Sequence, residues 1–239
     1  MSDDSIPRRR FLVGAGTAVA TGLAASVPAE AQTPAAALPT PAAATHAEPE
    51  ALLALTATEA AFVSAAVDAI IPADELSPSG TDCGLVTFID RQLASAWGGG
   101  AKMYRSGPFQ KGKPEQGYQL ALTPKEFFQA GIAEANAWSH KTYGKEFDRL
   151  GSAQQIEALK AMEGGKAEFA GIPSRQFFQS LLTLAMEGFF SDPIYGGNRD
   201  KASWKMLGFP GLPATYAGKF EEYQAKRYVA PPQSIADFS

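Results

Sequence analysis

The sequence predicts an all-α fold: a single helical domain with long ordered loops. Two capping boxes, Thr56 with Glu59 and Thr123 with Glu126, mark helix starts, because each threonine is followed three positions later by a glutamate. Apolar residues recur at helical spacing after these starts, and no stretch alternates apolar and polar residues as a strand would. Long stretches rich in glycine and proline separate the predicted helices, and ordered loops of such length are often functional.

Composition allows one globular domain and narrows the classes of partner. The chain has 239 residues, of which 45% are hydrophobic and 19% charged, enough for one hydrophobic core. Its net charge of −4 argues against nucleic acid as a partner and does nothing to favour an anionic membrane surface. The single cysteine, Cys83, excludes an internal disulfide framework, a thiolate-bound iron–sulfur cluster and a CxxCH haem site.

Residues 1–31 predict a twin-arginine signal peptide. An Arg-Arg-x-Phe-Leu pattern precedes an uncharged run, and an Ala-x-Ala cleavage pattern follows it. The residues concerned are Arg8, Arg9, Phe11, Leu12, Ala29 and Ala31. The apolar run is shorter than the roughly 20 residues that a membrane span requires, which favours a signal peptide over the alternative, an uncleaved N-terminal anchor.

A linker and a tail flank the predicted helical domain. Residues 32–50 are dominated by alanine and proline, a composition typical of an extended tether. We expect the helical domain to span residues 51–214. Residues 215–239 are expected to form a C-terminal tail that lies on the surface or on a partner.

The first two helices are predicted from their caps and breakers. One follows the Thr56 cap and stops at Pro72, because proline cannot continue a helix. The next runs from about Leu85 to Trp97, before a run of three glycines. In this helix Asp90 lies off the apolar stripe, so we expect its carboxylate outside the core.

The later helices are predicted from Thr123, from Ser152, from Ser174 and over residues 200–207, the last with Trp204 facing inward. The helix that Ser174 is expected to cap has the strongest apolar stripe, which includes Phe178. We therefore expect this helix at the centre of the core.

Residues 187–211, here called the signature segment, combine large aromatic residues with turn residues. The aromatic residues are Phe189, Phe190, Tyr195, Trp204 and Phe209, and Asp-Pro, Gly-Gly-Asn and Gly-Phe-Pro-Gly stretches lie between and after them. This composition is typical of an ordered loop pinned by buried rings. Two interpretations stay open: a structural loop, or a surface that docks a partner.

The signature segment, EGFFSDPIYGGNRDKASWKMLGFPG, closely resembles the C-terminal signature of the gluconate 2-dehydrogenase subunit 3 family. Residues 55–84 resemble the opening helix and following loop of that family. Residues 88–107 and 117–120 resemble its next blocks, and the resemblance covers most of residues 52–212. Because several blocks occur in order, the resemblance is specific.

The resemblance implies the small, gamma subunit of a membrane-associated flavin-dependent sugar or sugar-acid dehydrogenase. A large partner subunit would bind FAD and oxidise the sugar, and a cytochrome c subunit carrying haem c would pass electrons to membrane quinone. The choice of sugar would be made in the large subunit. No cofactor is expected in this chain.

The helical domain carries no recognisable catalytic or metal-binding pattern. It has one histidine, His140, and one cysteine, far apart in sequence; it has no G-x-S-x-G motif and no histidine pair with metal spacing. We therefore predict no catalytic, cofactor-binding or metal-binding residue. The chain is expected to be an accessory subunit of an FAD-dependent dehydrogenase, not catalytic alone.

We predict that the signature segment binds the partner. The residues expected to do so are Asp192, Tyr195, Asn198, Arg199, Asp200, Trp204 and Phe209. Arg199 is the strongest candidate, because its guanidinium has a fork of donors among aromatic neighbours. The nearby carboxylates, those of Glu187, Asp192 and Asp200, are expected to form ion pairs with Arg199 or Lys205. Cys83 is predicted either as a thiol that bridges to another chain or as a buried thiol.

The functional hypothesis is a non-catalytic small subunit on the periplasmic side of the inner membrane, held there through its complex. The twin-arginine route exports folded proteins, often with a cofactor loaded, yet this chain has no evident cofactor site. We therefore expect it to interact with the twin-arginine translocase on behalf of the folded FAD subunit, which it escorts and stabilises. The alternative is a stand-alone periplasmic enzyme or ligand-binding protein, which requires a pocket lined by convergent polar groups.

Overall fold

The computed structural model describes residues 51–110, 112–113, 116–213, 215, 217–226 and 228–238. The predicted signal peptide and linker, residues 1–50, lie outside the described residues. The export-signal residues and the domain boundaries therefore stay predictions from the sequence.

The described residues form helices and contain no strand, so the predicted all-α class is confirmed. The α-helices, in chain order, are α1 (Ala57–Ile70), α2 (Leu85–Ala94), α3 (Pro124–Tyr143), α4 (Ser152–Glu163), α5 (Ser174–Phe190), α6 (Ala202–Leu207) and α7 (Phe220–Tyr223). Short 3₁₀ turns lie at Phe147–Arg149, Pro193–Tyr195, Arg199–Lys201, Ala217–Lys219 and Ile235–Phe238. No helix among the described residues is both long and apolar enough to cross a membrane.

Helix α5 is the central element of the core, as its apolar stripe predicts. It contacts each of α1 to α4 and also α6. Its Phe177 is fully buried and lies among the rings of Phe62, Phe128 and Phe169, with centroid distances of 6.0, 5.6 and 6.2 Å. Phe62 in turn packs on Phe147 at 4.8 Å. This cluster of rings joins α1, α3 and α5 to the connection between α3 and α4.

A glycine allows α3 and α5 to approach closely. A Cβ atom placed on Gly131 of α3 would lie 2.0 Å from the Phe177 ring. No side chain fits at that distance, so the glycine is required by packing rather than by backbone conformation. The close packing that Gly131 permits therefore offsets the roughly 1 kcal/mol by which glycine is less favourable than alanine within a helix.

Both predicted capping boxes are confirmed. The backbone N–H of Thr56 donates to Glu59 Oε2 at 2.7 Å, and that of Thr123 donates to Glu126 Oε2 at 2.8 Å. In each box the glutamate N–H donates back to the threonine hydroxyl. Each box fixes the start of its helix, α1 or α3, because it satisfies two of the backbone N–H groups that would otherwise lack partners there.

Two helix-end predictions are wrong. Pro173 is the N-cap of α5, and Ser174 is its first residue and makes no capping hydrogen bond. Helix α2 ends at Ala94 rather than near Trp97. There the Ser95 hydroxyl donates to the Gln92 carbonyl at 2.7 Å and accepts from the Trp97 N–H at 3.2 Å, so a local side-chain turn competes with the helix.

Asp90 was expected outside the core, and this expectation is also wrong. Its carboxylate is 2% exposed and accepts the backbone N–H groups of Leu53, Ala54 and Leu55 at 2.8 to 2.9 Å. The buried side of α2 therefore includes a polar socket as well as an apolar stripe. This socket ties the chain entering α1 to the middle of α2.

Candidate partner-binding surface

The signature segment leaves the end of α5, passes through the 3₁₀ turns Pro193–Tyr195 and Arg199–Lys201, and continues through α6. Asn198 holds the two sides of this path together from inside. Its side chain is fully buried: Nδ2 donates to the Ser191 carbonyl at 2.9 Å, and Oδ1 accepts from the N–H and the hydroxyl of Ser203 at 3.0 and 2.8 Å. With φ at 47°, Asn198 adopts the left-handed conformation that asparagine tolerates better than most residues.

The segment is seated on the start of α2. The Arg199 N–H donates to the Cys83 carbonyl at 3.0 Å, and Nη1 donates to the Asp82 carbonyl at 3.3 Å. A Cβ atom on Gly84 would lie 2.3 Å from the Gly196 carbonyl oxygen, so only glycine allows the two backbones to approach this closely. Its φ of +81° requires glycine for a second, independent reason.

Trp204 pins the segment to the end of α5. Its side chain is 6% exposed, and its indole Nε1–H donates to the Phe190 carbonyl at 3.0 Å. Its ring packs edge-on against Phe209, with centroids 5.3 Å apart. The inward orientation expected for Trp204 is confirmed.

The outer side of the segment is apolar. Large hydrophobic side chains stand exposed here at Phe190, Ile194, Tyr195, Leu207 and Phe209. Tyr195 is 52% exposed and follows directly on Ile194 in one 3₁₀ turn. The backbone is thus fixed by buried groups while a set of apolar side chains faces outward.

The expected ion pairs with Arg199 or Lys205 are not formed. Arg199 donates to backbone carbonyls instead, because the turn that carries Asp82 lies against its guanidinium. Asp192 accepts the N–H groups of Ile194 at 3.0 Å and Ile235 at 2.9 Å, so its carboxylate is occupied by backbone donors. Asp200 is exposed.

Glu187 faces a cleft on the other side of α5. The cleft has a volume of about 380 Å³ and is lined mainly by apolar side chains from α3, α5 and the preceding connection, among them Trp97, Tyr118 and Phe127. Burial raises the pKa of the Glu187 carboxyl. Burial and the Glu126 charge together raise the pKa of Tyr118 to about 12, and its ring stacks on Phe127 at 4.0 Å.

This cleft does not collect catalytic groups among the described residues. The Tyr118 hydroxyl donates to the Leu122 carbonyl at 3.2 Å, and His140 is exposed and does not line the cleft. No group of three or more His, Cys, Asp or Glu residues suited to a metal ion occurs within the described ranges.

Cys83 is fully buried, and its Sγ lies 3.7 Å from the Pro78 carbonyl oxygen. This placement favours the buried-thiol interpretation over a bridge to another chain. Its own carbonyl accepts from Arg199, so the backbone at this position helps to seat the signature segment.

A comparison of the sequence with known protein families shows which family the chain belongs to. The profile described as gluconate 2-dehydrogenase subunit 3 matches residues 57–211, which is more than half of the chain. The chain belongs to the gluconate 2-dehydrogenase subunit 3 family. No match was found among curated proteins or among solved structures. As a subunit 3 family member, the chain is related to accessory subunits of a dehydrogenase complex, and the match runs from the start of α1 to the end of the signature segment.

The residues predicted to bind a partner divide into two groups in this subunit 3 structure. Asn198 and Trp204 are buried and, with the half-buried Asp192 and Arg199, hold the segment in place, whereas Tyr195, Asp200 and Phe209 are exposed on it. Sequence reasoning missed the part of the same chain on which this segment packs, which is the turn ending at Gly84. A signal was present, because residues 55–84 form one of the blocks that carry the family resemblance.

Proposed function

We propose that this chain is the non-catalytic small subunit of an exported flavin-dependent dehydrogenase, and that the signature segment binds the large FAD-carrying subunit. In this proposal the large subunit oxidises a sugar or sugar acid, and a cytochrome c subunit receives the electrons. FAD and haem c belong to those partners. The complex resides on the periplasmic side of the inner membrane.

The observation that carries the proposal is a contrast within the signature segment between side chains that fix its backbone and apolar side chains that are exposed. Hydrogen bonds from the side chains of Asn198, Arg199 and Trp204 fix its backbone, while Tyr195 and its apolar neighbours face outward. Aromatic anchors held rigidly on a surface are the usual centres of binding energy in protein interfaces, because little conformational entropy is lost when they are buried.

The predicted twin-arginine signal supports the same proposal. A helical domain without an evident cofactor site has little reason of its own to use a route for folded proteins, whereas a flavin-loaded partner has one. We propose that the chain supplies the twin-arginine signal for that partner. Replacing Arg8 and Arg9 by lysine should leave the partner in the cytoplasm; a flavoprotein that still reached the periplasm would contradict the escort role.

Co-purification tests partner binding. The full chain, tagged after Ser239 and expressed in its own host, should retain a yellow flavoprotein. Changing Tyr195→Ala should reduce the retained flavin at least tenfold, since an interface anchor contributes about 2 kcal/mol or more and 1.4 kcal/mol is tenfold. Ile156→Ala is the matched control, because Ile156 is a similarly exposed apolar side chain on α4.

Two results would contradict partner binding at this surface. One is a colourless chain that never retains flavin. The other is equal retention by the Tyr195 and Ile156 variants, which would move the contact elsewhere on the molecule.

The volume of the cleft beside Glu187 is the observation on which the second candidate function, a ligand-binding protein or stand-alone enzyme, rests. Its volume of about 380 Å³ lies within the range of small-molecule sites. Turnover of a sugar by the purified, colourless chain would establish that candidate and overturn the accessory role. Substituting Trp97→Ala should abolish such turnover if the cleft is the active site. If the chain is the accessory subunit instead, the same substitution should leave flavoprotein retention unchanged, because Trp97 lies outside the signature segment.

A further inference from the structure

A C-terminal strap, residues 233–238, lies against the signature segment. The Gln233 N–H donates to the Pro210 carbonyl at 3.0 Å, and the Leu212 N–H donates back to the Gln233 carbonyl at 2.9 Å. Further along, the Ile235 N–H donates to Asp192 Oδ2 at 2.9 Å. The strap therefore contacts the segment near both of its ends, and it lies beyond the region that matches the subunit 3 family.

An ion pair closes the strap over the middle of the segment. Lys201 Nζ lies 2.7 Å from Asp237 Oδ1, and the same carboxylate accepts the Ser234 N–H at 2.8 Å. These two donors lower the pKa of Asp237 below its ordinary value. Both side chains of the pair are partly exposed, so the pair is open to solvent and to salt.

The turn that the strap grips is strained. Asn198, Asp200 and Lys201 all have φ values between 47° and 57°, in the left-handed region that side chains disfavour. Such residues persist only where surrounding contacts over-determine them. Asn198 has buried partners of its own, whereas the Lys201 side chain pairs with Asp237 of the strap.

We propose that the C-terminal strap is a latch whose docking holds the strained turn of the signature segment in its binding-competent shape. Closing the strap and binding a partner at this surface are then thermodynamically coupled. When the strap opens, Lys201 loses its tether and Asp192 loses one of its two backbone donors, so the turn and the adjoining Pro193–Tyr195 turn relax together. The partner half of this inference rests on the proposed function; the latch itself does not.

Exchange of backbone amides in the full chain tests the latch. The informative amides are those of Leu212 and Ile235, because each donates across the junction between strap and segment. The change Lys201→Gln should speed their exchange about two- to fivefold, the range expected for losing one partly exposed ion pair. The control is Lys205→Gln, which removes an exposed lysine from α6 without touching the strap.

A double-mutant cycle and salt sharpen the test. Combining Lys201→Gln with Asp237→Asn should speed exchange no more than the stronger single change, because both remove the same pair. Raising NaCl from about 0.05 to about 0.5 M should speed exchange at Ile235 in the natural chain and have no such effect in the Lys201 variant, since salt screens an exposed pair. Amides of α1, such as Val67, should not respond.

Three outcomes would overturn the latch. Equal exchange in the Lys201 and Lys205 variants would show that the pair holds nothing. A matching loss of protection at Val67 would show that the strap is part of the core rather than a separate unit. Additive single changes would show that Lys201 and Asp237 act independently.

The coupling to a partner has its own readout. Flavoprotein retention should fall in the Lys201 variant by the same factor as the fraction of chains whose strap is closed, and should not fall in the Lys205 variant. Unchanged retention despite a lower closed fraction would overturn the coupling. If the natural chain retains no flavoprotein at all, the proposed function fails, while the exchange measurements still decide whether the latch exists.

Discussion

The helical core and the signature segment are held in shape by different physics. The core is stabilised by ring packing around Phe177, where no polar group is needed and shape decides the fit. The segment is stabilised by single side chains that reach backbone atoms, as Asn198 and Trp204 do. We therefore expect the effect of a substitution to depend on side-chain volume in the core. In the segment we expect it to depend on the identity of one hydrogen-bond donor or acceptor.

The largest effect tests the core side of this comparison. Phe177→Ala should lower the free energy of unfolding by about 3–5 kcal/mol, because it leaves a cavity among three neighbouring rings. Urea denaturation measures the change. Phe220→Ala, at a ring that is 66% exposed, should cost less than about 0.5 kcal/mol. Similar losses at the two sites would mean that the ring cluster is not the core.

An isosteric change tests the segment. Asn198→Asp keeps the volume but replaces the donor to the Ser191 carbonyl with a second acceptor, and it places a charge in a fully buried site. Such an unsatisfied pair costs about 1–3 kcal/mol. The change should also speed exchange of the Ser203 amide, which donates to Asn198.

The control for that change is Asp200→Asn, the reverse isosteric change at an exposed position of the same turn. It should leave the free energy of unfolding and the exchange of Ser203 as they are. If the Asn198 variant behaves like this control, donor identity does not govern the segment and the comparison with the core fails.

The smallest expected effect is on the pH dependence of stability. It concerns the Thr123–Glu126 capping box, where the helical body depends on a polar side chain as the segment does. Hydrogen bonds from the N–H and hydroxyl of Thr123 lower the pKa of Glu126 below its ordinary value of 4.5. A lowered folded-state pKa contributes stability above the unfolded value, and this contribution is lost as pH falls through the folded pKa.

Glu126→Gln should therefore flatten the fall in the urea midpoint between about pH 5 and pH 3. Glu157→Gln, at an exposed position of α4, should leave that fall unchanged. Parallel curves for the natural chain and the Glu126 variant would show that the capping box does not contribute through its charge.

The parts of the fold that were predictable are those encoded by neighbours in sequence. Capping boxes at Thr56 and Thr123 depend on residues three positions apart, so they can be recognised without knowing the fold. The apolar period of α5 places that helix in the core for the same reason. Trp204 could be placed inward because a large ring among turn residues needs a packing partner.

The missed features are polar contacts between residues far apart in sequence. Asp90 accepts from backbone groups 35 to 37 positions earlier, and Asp192 accepts from Ile235, 43 positions later. A carboxylate that satisfies distant backbone donors has no periodic signature, so it looks like any surface charge. Ser174 failed differently: a local cap signal was present, but the cap lies one residue earlier, at Pro173, and Ser174 is the first residue of the helix.

Two backbone hydrogen bonds, from Leu212 N–H to the Gln233 carbonyl and from Gln233 N–H to the Pro210 carbonyl, bring the chain back beside the point where it leaves the helical body. Backbone hydrogen bonds therefore hold Leu212 and Gln233 together at the two ends of the chain between them. Doubling the length of a flexible loop costs only about 0.6 kcal/mol in closure entropy. An epitope or fluorescent peptide inserted within residues 228–232, which lie outside the helices, should therefore leave α1 to α6 undisturbed.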